Sequence, residues 1–142
     1  MKPRIAITLA ISILSINLCV ADALKPEHAE ARYSEEEMLP VRSTLLSPGK
    51  VERRVLDATG LPSFFLIGED ARSRNWLRQR LPKLMKMNAV GLVVNVESKA
   101  ALDSLRQAAA GLTLTPVSAD ELAQRLNLRH YPVLITAGSV EQ

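Results

Sequence analysis

At 142 residues, 47% of them hydrophobic and 23% charged, the chain has the size and make-up of one ordinary globular domain able to bury a core. Its formal net charge of +3 is too balanced to mark a nucleic-acid reader, so no direct nucleic-acid binding is expected.

The first residues read as a targeting segment. Met1-Lys2-Pro3-Arg4 is a basic start, and Ile5 to Val20 is apolar apart from Thr8, Ser12, Ser15 and Asn17; this is the layout of a secretory signal peptide. Ala21-Asp22-Ala23 has the small-x-small form that a signal peptidase reads, which predicts cleavage after Ala23, with Ala21 the second choice. The run is shorter and more polar than the roughly 20 apolar residues of a membrane span. No transmembrane anchor is therefore expected after cleavage, and the expected location is the periplasm. Asn17 and Leu18 stand where a lipobox needs small residues before Cys19, which argues against lipidation. Removal of residues 1–23 takes away the chain's one cysteine and lowers the formal charge from +3 to +2. What remains has no disulfide and depends on its packed core.

Residues 24–61 read as an N-terminal arm with a possible edge strand. Leu24 to Leu39 is polar and rich in Glu and Ala: either a disordered arm, the preferred reading, or a short helix capped by Ser34 with Glu35-Glu36-Glu37 at its start. Ser47-Pro48-Gly49 is a turn signal. Val51 to Leu56, apolar at its ends and charged in the middle, reads as a half-exposed edge strand before Gly60-Leu61-Pro62.

Residues 62–142 carry the alternation of an α/β domain. Phe64-Phe65-Leu66-Ile67 is a short continuous apolar run, the mark of a central strand buried on both faces. Glu69-Asp70-Ala71-Arg72 reads as a loop, and Ser73 as the cap of a helix whose apolar positions are Trp76, Leu77, Leu81, Leu84 and Met85. Pro82 predicts a kink or break in that helix. Val90 to Val96 is the clearest strand; Ser98 caps a helix over Lys99 to Ala110, and Gly111 stops it. Leu112 to Val117 reads as a further strand, Ser118-Ala119-Asp120-Glu121 as a capping box, and Asp120 to Leu128 as a short amphipathic helix. Pro132 then separates that helix from a last strand, Val133 to Thr136.

Strand and helix alternating with short connections predict a mainly parallel sheet covered by helices. A helix, a proline and a buried strand in that order is a thioredoxin-like signature, so Pro132 is expected in a loop of cis-Pro type; the competing reading is a trans proline that merely ends the helix. No strand-helix pair follows Thr136, which leaves the usual C-terminal part of such a fold truncated or supplied by the Val51 segment.

Sites in open α/β sheets form outside the carboxyl ends of the strands, here Gly68 to Ser73, Glu97-Ser98 and Pro116 to Ser118. An active thioredoxin-like oxidoreductase has Cys-x-x-Cys at the first of these, since a low-pKa thiolate at a helix start attacks disulfides. Glu69-Asp70-Ala71-Arg72-Ser73 excludes that chemistry. His28 and His130 do not make a metal site, Gly68-Glu69-Asp70 lacks the glycine spacing and lysine of a phosphate loop, and a triad of Ser73, His130 and Asp70 has no motif behind it. No catalytic residue, metal or cofactor is expected. Arg72, Arg74, Arg78 and Arg80 form the densest basic cluster, read either as a solvated helix face or as a docking patch for an acidic partner. Trp76 and Tyr131 are either core residues or interface anchors. The candidate partner-binding rim is thus Asp70, Arg72, Arg74, Trp76, Arg78, His130, Tyr131 and Pro132.

Four groups of residues carry a family resemblance: Pro40-Val41-Arg42-Ser43 with Ser47-Pro48-Gly49; Phe65 to Asp70 with Ser73-Arg74-Asn75-Trp76-Leu77; Val90 to Val96; and His130 to Ile135. Together they resemble the integrating conjugative element proteins of bacteria, a family of uncharacterised function similar in layout to the thioredoxin-like TrbC proteins of conjugative pilus assembly. The resemblance runs from about Met38 to Ile135. It implies an exported, non-enzymatic component of a type IV secretion apparatus that moves DNA between cells, with other proteins of that apparatus as partners. The alternative is an enzyme or redox-type chaperone using a noncysteine site near Asp70 and His130.

Overall fold

The computed structural model describes residues 34–142. The signal peptide, its cleavage at Ala23 or Ala21, Cys19, His28 and the arm as far as Tyr33 lie outside the described residues. In chain order the elements are a 3-10 turn (Glu35–Met38), β1 (Ser47–Pro48), β2 (Arg54–Val55), β3 (Phe64–Gly68), α1 (Ala71–Lys86), β4 (Val90–Asn95), α2 (Lys99–Ala108), β5 (Leu114–Pro116), α3 (Asp120–Leu126), β6 (His130–Tyr131), β7 (Val133–Ile135) and β8 (Ser139–Glu141).

Six strands form one sheet in the order β2-β8-β7-β3-β4-β5. Pairings of β3 with β4 and of β4 with β5 are parallel, whereas β3 with β7, β7 with β8, and β8 with β2 are antiparallel. The expected mainly parallel sheet is corrected to a mixed one. The cause is the chain after Pro132: Thr136 accepts the Gly138 and Ser139 N–H groups in a tight turn, so β7 and β8 make a hairpin instead of another crossover. The C-terminal part of the sheet is present, with β2 beside β8.

Two buried clusters flank the sheet. Phe65, Ile67, Val93 and Leu134 pack under Trp76, Leu77 and Leu84 of α1 and Leu102 and Leu105 of α2. Leu66, Val94, Val133 and Ile135 pack under Ala123 of α3 with Leu128, Leu46 and Tyr131. Alternate residues of β3 and β4 thus feed opposite faces, and each large apolar side chain so buried contributes about 1.5–3 kcal/mol.

Helix α1 runs through Pro82 without a break. Arg78 and Pro82 both face solvent, so the Arg78 carbonyl left without a partner can be satisfied by water. Met85, expected in the buried stripe, is exposed. Ser98 caps α2 by accepting the Ala101 N–H at 3.2 Å, and Gly111 adopts φ +95° just beyond the helix. The turn expected at Ser47-Pro48-Gly49 is instead strand β1, paired in parallel with β6. From Pro40 on, the stretch read as an arm contributes Val41 to one cluster and Leu46 to the other. The Leu39–Pro40 and Tyr131–Pro132 peptide bonds are cis. Among the described residues no helix is long and apolar enough to cross a membrane.

Candidate functional site

Parallel strands β3 and β4 end side by side at Gly68 and Asn95, with a register shift between Ile67 and Gly68. Asp70, not Ser73, caps α1: its Oδ2 accepts the Ser73 N–H at 2.9 Å. Ser73 is fully buried, and its hydroxyl donates to Asp70 Oδ1 at 2.8 Å while accepting the Gly68 N–H at 3.0 Å. The short polar loop is thereby closed on itself. Gly68 allows a close approach, since a Cβ there would lie 2.6 Å from Tyr131 Cε2 and 2.9 Å from Asp70 Oδ1.

The residues between Val41 and Leu46 run as a strap over these strand ends. Val41 forms an antiparallel bridge with Val96. Ser43 donates its Oγ–H to the Val94 carbonyl at 2.7 Å and accepts the Ala119 N–H at 2.9 Å, and its own N–H bonds Asn95 Oδ1 at 2.8 Å. Asp120 accepts from the N–H groups of Thr44 at 3.1 Å and Leu45 at 2.9 Å. The Leu45 N–H and then those of Thr44 hold the Asp120 carboxyl below the usual carboxylate range. The capping box expected at Ser118 and Glu121 is absent: no side chain caps α3. Ser43, 76 residues away, takes the Ala119 N–H, and Asp120 is turned to the strap.

Strap, strand ends and helix start enclose a recess of about 660 Å³. Arg42, Glu69, Asp70, Arg74, Glu97 and the Tyr131 ring are in its wall. Arg42 and Glu97 pair across it at 3.0 Å. Arg74 donates to the Glu69 carbonyl at 3.0 Å and to Ser104 Oγ at 2.9 Å, which latches α1 to α2. Tyr131 is 3% exposed; burial first, and then the nearby Asp70 and Glu69 charges, push its hydroxyl pKa up against the hydrogen bond from Asn95. Among the described residues no group of three or more His, Cys, Asp or Glu is placed to hold a metal ion.

The eight residues of the candidate rim are not one surface. Asp70, Arg74 and Tyr131 line the large recess. Arg72, Trp76 and Pro132 line a second one, and His130 lies at two others beyond β6. Arg78 stands exposed on α1. Trp76 belongs to the cluster under α1 and α2 and Tyr131 to the one under α3, and both side chains are buried. His130 Nδ1 is 3.2 Å from Ser47 Oγ and 3.3 Å from the Ser47 carbonyl, so it does not join Ser73 and Asp70. The backbone before Pro132 is also occupied: Ser47 N–H donates to the Arg129 carbonyl at 3.1 Å, and Gly49 N–H to the Tyr131 carbonyl at 3.0 Å. An extended peptide would have to displace β1 to pair there.

Two residues that hold this site escaped the sequence reading. Asn95 did leave a signal, a lone amide inside Val93-Val94-Asn95-Val96. Ser43 left none, because nothing local distinguishes it from a surface serine.

Fold and site define an α/β domain with a polar recess at the ends of two parallel strands, covered by the chain's own N-terminal strap. A family model described as "Protein of unknown function (DUF2859)" matches residues 18–140, and the chain belongs to that family. No curated protein and no solved structure matches it.

Proposed function

We propose that this protein is an exported, non-enzymatic component of a conjugative DNA-transfer apparatus of the type IV secretion kind, acting by binding other proteins during assembly of the channel or pilus. The reading includes a thioredoxin-like core. The observation that carries it is the run β8-β7-β3-β4, parallel on one side of β3 and antiparallel on the other, with Pro132 at the head of β7 lining a recess with Arg72 of α1. The motif groups from Pro40 to Ile135 that resemble integrating conjugative element proteins support the cellular role, and the basic, apolar, Ala-Asp-Ala start supports export.

What occupies the start of α1 supports binding rather than turnover. A redox domain needs a thiolate there; here Asp70 and Ser73 are spent on each other and on the Gly68 N–H. Outside it, α1 carries six cations and no acid, and only Lys83 among them has an ion-pair partner, Glu141, among the described residues. Such an excess of positive charge suits an acidic protein surface. The test is affinity capture of the tagged protein from cells carrying the conjugative element, with transfer efficiency measured in a deletion strain. Co-purification of envelope components of the apparatus and loss of transfer are expected. Unchanged transfer in the deletion strain, with nothing of the apparatus captured, would overturn the reading.

A further inference from the structure

Trp76 presents an unsatisfied donor. The side chain is 7% exposed, its ring stacks at a tilt on Phe65 with centroids 5.9 Å apart, and its Nε1–H has no acceptor among the described residues. A buried N–H left unpaired loses its bond to water without replacement, and orphans of this kind call for an explanation. The residue lines a recess of about 360 Å³ together with Pro132 and Gln142. The rest of the wall is Arg72, Asn75, Gln79 and Arg80, with no Asp or Glu side chain. Arg80 is engaged with the Gln142 carbonyl at 2.6 Å, which fixes its guanidinium at the recess. Arg72 is exposed and has no hydrogen-bond or ion-pair partner among the described residues.

We propose that this recess receives an acidic side chain from a peptide segment of a partner protein, its carboxylate forked by Arg72 and completed by the Trp76 indole N–H. Guanidinium and indole N–H groups are donors only, so the matching group is an acceptor with two oxygens and negative charge. Arg72, Gln79 and Arg80 stand four before, three after and four after Trp76, one helical turn away. The Arg72 and Gln79 side chains are exposed, and such side chains change rotamer without movement of the backbone. Asn75 and Gln79 amides add orientation to the flanks.

This site rests on the binding-module reading above and names the chemistry of its partner. Trp76 is the chain's one tryptophan, so its indole N–H gives a single resonance in a proton–nitrogen correlation spectrum and reports on the recess directly. The probe is acetyl-Glu-Ala-Glu-Ala-Glu-amide, titrated into the purified protein, with the Gln-for-Glu peptide as control. The indole resonance is expected to move downfield with the Glu peptide alone. Arg72→Gln is expected to weaken that response by about tenfold, the worth of one charge-assisted hydrogen bond. Arg125→Gln, at an exposed arginine on α3 paired with Glu121, is expected to leave it unchanged. An indole resonance that stays still at millimolar Glu peptide, that moves equally with the Gln peptide, or that is weakened equally by Arg125→Gln overturns the site. The titration contains no conjugative partner. Its failure leaves capture of the apparatus standing, and failed capture with an intact peptide response removes the cellular role alone.

Discussion

Asn95 Nδ2 donates to the Tyr131 hydroxyl at 3.1 Å, and through its Oδ1 the same amide accepts the Ser43 N–H at 2.8 Å. One side chain at the end of β4 thus ties the tyrosine before Pro132 to the strap that covers the recess. Both outer groups are buried, Ser43 and Tyr131 alike, so the cost of losing the amide is set by what it leaves unpaired.

Asn95→Ala is expected to destabilise the domain by about 1–3 kcal/mol. Tyr131→Phe, which keeps the ring and loses one hydrogen bond, should cost about 1 kcal/mol. Tyr131→Ala removes a buried ring and should cost about 3–5 kcal/mol. Urea unfolding followed by circular dichroism gives all three; a tyrosine acting as an exposed anchor would instead lose almost nothing in the Ala variant.

Ser43→Ala deprives the Ala119 N–H and the Val94 carbonyl of their partner, an expected loss of about 1–3 kcal/mol. Asp120→Ala releases the Thr44 and Leu45 N–H groups from the same strap. Because both changes act on one segment, their effects should be non-additive in a double-mutant cycle. Additive losses would mean that the strap is held independently at its two points.

Gly68→Ala places a methyl group against Tyr131 and Asp70. Overpacking of this kind costs about 1–3 kcal/mol. The near-ultraviolet signal of the tyrosine should change with it, whereas Gly138→Ala, where a Cβ meets open space, should alter neither.

Acid should destabilise the fold. Arg106 lowers the pKa of Glu35 through its hydrogen bonds, the Leu45 N–H lowers that of Asp120, and Lys83 lowers that of Glu141. A carboxyl whose folded pKa is depressed contributes stability above its unfolded pKa and loses it as pH falls through the folded one. The melting temperature should therefore hold steady above the usual carboxylate range of about 4 and fall below it. Glu141→Gln should flatten that fall. Tyr131 acts at the other end, since a raised folded pKa gives stability that is full below about 10 and lost as pH rises through the folded value.

Removing Arg72 and Arg78 together should weaken partner capture more at low than at high salt, because exposed charges are screened within about 10 Å at 0.1 M. Arg74 is a different case: bonded to the Glu69 carbonyl and Ser104, it should affect thermal stability before capture. Melting curves and capture yields at two salt concentrations separate the two roles.

Strands β3 and β4 and helix α2 were legible in the sequence. A continuous apolar run such as Phe64 to Ile67 needs cover on both faces wherever it lies, and Ser98 and Gly111 act on backbone groups within a turn of themselves. The excess of cations on α1 was legible as composition, whereas helical spacing turns Arg72 and Arg74 to different sides of the helix, where they line different recesses. What lay beyond reach of the sequence was every choice between partners distant in the chain. Asp70 took the cap of α1 from Ser73 because the serine hydroxyl was drawn under Gly68. Ser43 replaced a capping box at α3 from 76 residues away, and β1 became a strand because β6 offered it an edge. The same selection separated Trp76 from Tyr131. Residue type says what a side chain can bond or bury, but which of several equal donors and acceptors it meets is decided only when the sheet is assembled, because each choice must satisfy all the buried groups around it at once.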